Sequence, residues 1–374
     1  MILHISNDFS GSTVYKNLVS QLDNLGLSQI VYNPIRDKNR IGKNAIELNI
    51  ADSKIIYSNI LNKSTDRIFY KKKIKKILRD IESKVDLSRI KLIHAHTWYS
   101  DGGVAYLIHK KYNIPFIIAV RSTDIAIHYK YFIQIRRFGK SILNNSNNII
   151  LISKFQELFF QQRKSLQKLI IEKYILIPNG IDEFWLNNIY SPSINDSNNF
   201  LFIGRFDSNK NVFRLIKALE KCKLIIPNIN LNLVGGGGNM HKKVLAEISK
   251  KSWIKYHGPI YDKEKLKDIF RLNDFFAMPS IHETFGLVYI EALSQGLPIL
   301  YTKGQGVDGL FRKVGIATQP KDISSIQKDL IWMIDNKKNL KSNIKVIDFS
   351  KFKWESIALK YKFFFSQIKY NTYS

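Results

Sequence analysis

The chain has 374 residues, 45% of them hydrophobic, with 58 Lys and Arg against 31 Asp and Glu, a formal net charge of +27. That length exceeds one ordinary core and suits two domains. No apolar run reaches the roughly 18 residues of a membrane span, and a lone Cys222 excludes an intrachain disulfide framework.

The opening MILHISNDFSGS lacks the basic stretch of a secretory signal, so the expected location is the cytoplasm. Residues 1–6 predict a strand, and a turn containing Gly11 leads into a helix ending near Leu25. A strand, a glycine turn and a helix can present backbone amides to a ligand. G-x-G-x-x-G is absent, so no nicotinamide cofactor is inferred. Further strands are expected near 29–33, 91–97, 115–121, 148–153 and 175–178, with helices over 68–83, 102–112, 129–143 and 154–162. Such alternation predicts a parallel sheet with helices on both faces.

Ligands of such sheets sit beyond the carboxyl ends of the strands. That places His96 after one strand, and Arg121 and Asp124 after the next, among the candidates. His94 and His96 share one strand face. A hydrogen-bonded core place is the better reading of His94, whereas His96 is open to both a core place and a ligand contact.

The positive charge is spread over many helices, as on solvated faces, and the abundance of Lys, Asn and Ile suits AT-rich coding. One dense block, KKKIKKILR at 71–79, interleaves cations with apolar residues. A helix of that kind can lie against anionic lipid, each basic residue adding about 1 kcal/mol. No nucleic-acid-binding motif accompanies the charge, so an anionic membrane surface ranks first, a plain solvated face second and nucleic acid last.

Ile177-Pro178-Asn179-Gly180 closes the first half, and 181–198 reads as a polar linker. The second half, 199–350, restarts with a strand over 199–203 that runs into Gly204-Arg205, and Lys210 opens the next helix. A strand over 231–234 ends in Gly235 to Gly238, and WIKYHGPI at 253–260 carries another into His257-Gly258. An amphipathic helix over 262–272 precedes an apolar strand at 274–278. Then comes 279–306, PSIHETFGLVYIEALSQGLPILYTKGQG, which reads as loop, buried helix and strand, with Gly296 as the helix stop and Gly306 in a flexible turn. Helices over 323–336 and 352–368 complete the chain.

The amides of Gly286, Leu287 and Val288 open the buried helix, where unpaired N–H groups and the macrodipole favour a phosphate. Glu283 precedes that helix and Glu291 lies inside it. A carboxylate in an apolar helix needs donors, which a ribose diol offers. Equally on spacing alone, Glu291 pairs with a core cation and Glu283 merely favours the helix end.

The run P-S-x-x-E-T-F-G-L-x-x-x-E-A-L-x-x-G-x-P resembles the signature of retaining GT-B glycosyltransferases of family 4. Gly204-Arg205 with Lys210 resembles the family's G-R-x-x-x-x-K, and I-P-N-G-I-D its interdomain junction. The resemblance is strong in the second half and loose in the first. It implies two Rossmann-like doubly wound α/β domains facing across a cleft. An acceptor domain would span 1–180, with a terminal helix over 352–372 returning to it, and a nucleotide-sugar domain 199–350.

It further implies sugar transfer with retention from a UDP- or GDP-sugar to a hydroxyl of a glycan or polyprenyl-linked acceptor, with no metal and no cofactor. Glu291 would hold ribose, Arg205 and Lys210 the diphosphate, and Glu283 the transferred sugar. Gly204, His257, Gly258 and Gly306 would line the donor. Gly11, His96, Arg121 and Asp124 would line the acceptor. Members of that family often carry a His where this chain has Arg121, and more often T-x-x-G-G-x-x-E where it has the loop around Asp308. The charge suggests a peripheral enzyme of surface polysaccharide synthesis on the inner face of the plasma membrane. The rival readings are a nucleotide-sugar epimerase and a non-catalytic carbohydrate- or polyanion-binding protein.

Overall fold

A computed structural model describes residues 1–62, 64–193 and 196–368. The chain divides into two compact units: Met1–Ile152, Gln156–Gly180 and the chain from Trp354 onward in the first, Ser153–Phe155 and Ile181–Lys353 in the second.

The first unit holds seven parallel strands: β1 Ile2–Ile5, β2 Gln29–Pro34, β3 Lys54–Ser58, β4 Leu92–Ala95, β5 Phe116–Ala119, β6 Asn148–Leu151 and β7 Tyr174–Leu176. They lie in the order β3-β2-β1-β4-β5-β6-β7. Strands β1, β4 and β5 are buried along their whole length, which is why they read as apolar runs broken only by His4 and His94. β3 escapes a periodicity reading because its KIIYS edge segment is only partly covered.

The second unit holds β8 Asn198–Arg205, β9 Ile229–Gly236, β10 Ile254–Tyr256, β11 Phe275–Ala277, β12 Ile299–Thr302 and β13 Gly315–Thr318. All pair in parallel, in the order β10-β9-β8-β11-β12-β13. Both units are therefore doubly wound α/β sheets.

The terminal helix Trp354–Ser366 belongs to the first unit, where Ile357, Ala358, Tyr361 and Phe365 join Leu18, Leu22 and Ile117 in one core. The last residues of the expected 352–372 helix lie outside the described residues. No described helix is long and apolar enough to cross a membrane.

Three expectations are corrected. Segment 181–198 is not simply a linker: helix Glu183–Asn187 is capped by Asp182 and buries Trp185 against Phe270. An apolar anchor of two aromatic rings outweighs the polar composition around it. The helix expected over 129–143 begins as a π-turn at Asp124–Tyr129 and becomes α-helical only at Arg136–Asn145. The basic block lies on helix Tyr70–Lys84, whose Ile74, Ile77 and Ile81 are fully packed into the first unit, and Lys73 is buried with them. Ile74 and Ile77 are thus core, and of the interleaved apolar residues only Leu78 stays partly exposed. Lys71, Lys72, Lys75 and Arg79 remain exposed.

Candidate active site

Strand order in the second sheet reverses between β8 and β11, and the crevice beyond such a switch point is where ligands of open α/β sheets bind. The loops leaving these two strands are tied together. Ile281 donates its amide to the Asn209 carbonyl at 2.7 Å, and Asn209 and His282 exchange side-chain and backbone bonds of 3.0 Å. Asn211, left-handed at φ 61°, donates to the carbonyls of Pro279 at 2.9 Å and Pro320 at 2.6 Å.

This frame brings Lys210 Nζ to 2.6 Å from Glu283 Oε2. Glu283 is held from other sides as well. Its amide donates to Gln305 Oε1 at 3.3 Å, its carbonyl accepts from Gly306 at 3.1 Å, and its Oε1 accepts from Thr284 at 3.1 Å. Gly306 is required there. At φ 53° a Cβ would come 3.0 Å from Glu283 Cγ. Gln305 and Asn209 carry no signal in a single sequence, because their partners lie 22 and 73 positions away.

Helix Leu287–Ser294 follows, with Gly286 at φ 76° as its first cap residue. A side chain on Gly286 would strike the Tyr289 ring at 2.5 Å, so only glycine fits this turn. Tyr289 anchors the turn by donating to the Met278 carbonyl. The amides of Leu287 and Val288 lie in the first turn, where no helical acceptor exists.

Glu291, deeper in this helix, has no hydrogen-bond or ion-pair partner among the described residues. Burial raises its pKa to about 7, the Asp182 carboxylate adds to the rise, and Lys263 opposes it. The protein therefore holds an acid that is uncomfortable as an anion until donors arrive.

The remaining donor-side candidates flank the same strand ends. Gly204 sits against Gly235, whose missing Cβ would fall 2.0 Å from the Gly204 carbonyl oxygen, and Gly258 accepts the Gly235 amide at 2.8 Å. His257 shares a 2.8 Å hydrogen bond with Asn232, and burial, assisted by Lys255, lowers its pKa. Arg205 is exposed, with Asp207 3.8 Å away.

Residues 188–346 match the family described as Glycosyl transferases group 1, and residues 11–183 match Glycosyltransferase Family 4. The chain belongs to the family 4 glycosyltransferases. An uncharacterized glycosyltransferase of Methanocaldococcus jannaschii is 28% identical over 284 residues, 74% of this chain and 75% of that protein. The lipopolysaccharide 1,2-N-acetylglucosaminetransferase of Salmonella typhimurium is 25% identical over 60% of this chain and 63% of its own length. Among solved structures, sucrose-phosphate synthase of Thermosynechococcus elongatus superposes with a TM-score of 0.73 over 98% of both chains at 20% identity. The two Rossmann-like domains are those of the GT-B fold.

In the first unit of this glycosyltransferase the strand order reverses between β1 and β4. Arg121 is buried there, donating from Nε to the His96 carbonyl at 3.1 Å and from its guanidinium to Asn179 Oδ1 at 3.3 Å, with its plane over Tyr15. Gly11 is exposed on its turn, where a Cβ would fall 2.0 Å from Asp8 Oδ1.

Two acceptor-side expectations change. His96 is only 1% exposed; its Nε2 lies 3.0 Å from His4 Nδ1, and its ring stacks on that of His4 and lies tilted against that of His94. Burial drives the pKa of all three imidazoles down, that of His4 to about 3, so they stay neutral. His96 therefore takes the core reading rather than a place open to ligand.

Asp124 is fully buried with both oxygens committed: Oδ2 accepts the amides of Trp98 at 2.9 Å and Arg121 at 2.8 Å, and Oδ1 that of Tyr99 at 3.0 Å. It fixes the loops after β4 and β5 instead of contacting an acceptor. Asp124→Ala should orphan these amides and cost about 3 kcal/mol of stability, read as a lower urea midpoint. An unchanged midpoint would contradict this structural role.

Proposed function

We propose that this glycosyltransferase moves a sugar, with retention of anomeric configuration and without a metal, from a UDP- or GDP-sugar to a hydroxyl of a glycan or lipid-linked glycan in surface polysaccharide synthesis. The observation that carries the reading is Glu291: a carboxyl with raised pKa and no side-chain partner among the described residues, on the helix that follows the switch-point loop after β11. A ribose diol supplies the two donors it lacks. Arg205, Lys210 and the amides of Leu287 and Val288 then take the diphosphate, with Gly204, Gly258 and Gly306 allowing close backbone approach and His257 flanking the base. Glu283 holds the transferred sugar.

Chemically, the bond from the anomeric carbon to the phosphate oxygen breaks while the acceptor oxygen bonds the same face. The acceptor proton passes to the departing phosphate oxygen. Charge grows on the diphosphate as this happens, so Lys210 and Arg205 stabilise the transition state more than the bound donor. The Lys210–Glu283 ion pair keeps both side chains positioned before the donor arrives.

Support for the donor and pathway comes from relatives. Anabaena HepE, of similar fold, has been solved with UDP and glucose, and an Escherichia coli O-antigen mannosyltransferase is 23% identical over 42% of this chain. Contact with an anionic membrane would rest on the charges of Lys71, Lys72, Lys75 and Arg79, with exposed Ile68 and Phe69 beside them.

Thermal melting with UDP-glucose, UDP-N-acetylglucosamine and GDP-mannose tests the donor site, because a ligand of the folded state raises Tm by mass action. At least one is expected to do so. Because ribose hydroxyls favour ionised Glu291, whose pKa is raised to about 7, the shift should grow from pH 6 to pH 8. No shift with any nucleotide sugar would reject the reading, and an inverted product by proton NMR would reject retention.

A further inference from the structure

The carboxyl ends of β1 and β4 carry a group of buried polar atoms that the donor chemistry does not use. Asp101, at the start of helix Ser100–Tyr112, has no exposed surface. Its Oδ1 accepts the Asn7 amide at 3.1 Å and the Asn7 side-chain amide as well, while its Oδ2 has no hydrogen-bond partner. Asn7 Oδ1 and the hydroxyls of Ser6 and Ser10, on the loop leaving β1, are likewise buried and without partners.

Opposite stands Lys73, 5% exposed, reaching out of helix Tyr70–Lys84 to donate to Ser100 Oγ at 2.8 Å. It closes no ion pair with Asp101, although each charge acts on the other. A buried carboxylate and a buried ammonium left apart are costly in a finished core. Several orphaned acceptors in one place call for donors from outside the chain.

We propose that Asp101, Asn7 and Lys73 form a subsite for the neutral hydroxyls of a pyranose. Asp101 Oδ2 and Asn7 Oδ1 accept from adjacent hydroxyls, and Lys73 donates to one of them. The orphaned atoms of Asp101 and Asn7 are oxygens, which accept from hydroxyls and offer no donor to a phosphate or carboxylate. Burial supports the same arrangement: it raises the pKa of the Asp101 carboxyl and lowers that of the Lys73 amine, as expected of groups lacking full compensation. A subsite of this kind selects an uncharged sugar ring as the group presented to the first unit. It deepens the transferase reading, in that the sugar is then the acceptor.

Saturation-transfer NMR on the full chain, without nucleotide, tests the subsite with methyl α-D-glucopyranoside, methyl α-D-mannopyranoside, glycerol 3-phosphate and inorganic phosphate as probes. At least one glycoside should bind. D101N, which preserves shape and the Asn7 contacts, and K73M should each weaken it about tenfold, a difference of 1.4 kcal/mol. Phosphate should not compete. Displacement of the glycoside by either phosphate probe, equal binding by both variants, or no glycoside binding would overturn the proposal. Because no donor is present, the outcome is separate from the fate of the transferase reading. Asp101-dependent glycoside binding alongside failure of every nucleotide sugar would leave the subsite standing and remove its role as acceptor site.

Discussion

Glu283→Gln should lower kcat/KM by about a thousandfold, roughly 4 kcal/mol of transition-state stabilisation, while a UDP- or GDP-sugar still binds. Glutamine keeps the shape of the side chain but loses the charge that Lys210 holds at 2.6 Å. The freed ammonium then meets the diphosphate unopposed, so ground-state binding should hold or tighten. Lys210→Met acts from the other side: it removes a cation from the leaving group and leaves Glu283, only 11% exposed, facing that anion without a counter-charge. Its loss should be of the same order and should fall on both KM and kcat.

The two residues work as one unit, so the double variant should cost little more than either alone. Initial-rate kinetics against the nucleotide sugar check this. Losses that simply add, or a Glu283→Gln enzyme with wild-type kcat, would show that the pair plays no joint part in transfer. Circular dichroism and urea unfolding of each variant check that the fold survives, because Lys210→Met leaves a largely buried carboxylate without its counter-charge.

Glu291→Gln should have opposite effects on stability and on donor binding. A carboxyl with pKa raised from 4.5 to about 7 in the folded chain prefers its protonated form there. The stability tied to that preference is full below pH 4.5, declines as pH rises through 7 and is absent above it. At about 1.4 kcal/mol per unit, the wild type gives up as much as about 3 kcal/mol between pH 4.5 and 8, and the Gln variant does not. Urea unfolding of the ligand-free proteins should therefore show the variant more stable at pH 8 and equal near pH 4.5. The same variant should bind the nucleotide sugar more weakly, since an amide accepts a ribose hydroxyl less strongly than a carboxylate. A site residue that costs stability while it waits for its ligand is a familiar trade. A Gln variant less stable than wild type at pH 8, or one with undiminished donor affinity, would dismiss the ribose role.

Most of the strands and helices (β3 and β13 excepted), the position of Glu283 and Glu291 around one helix start, and the glycine turns at 286 and 306 were legible in the amino-acid sequence. Each is written locally, as an apolar period, a turn residue or a spacing within one motif. Which way a side chain faces was not. Ile74 and Ile77 suit a lipid surface as well as a core until helix Tyr70–Lys84 packs on the first unit, where they are buried.

Asp124 and His96 stand at strand ends, as ligand-binding residues do, yet Asp124 closes on three backbone amides and His96 stacks among histidines. The partners that decide these cases come from separate strands and loops. Asp101 drew no notice because its meaning lies in Asn7, 94 positions earlier, and in the donor its second oxygen lacks. Lys210 and Glu283, 73 positions apart, became an ion pair only through the loops that Asn209 and Asn211 bind together. Local propensity and spacing fix what a segment becomes; burial and charge compensation depend on what the rest of the chain brings against it.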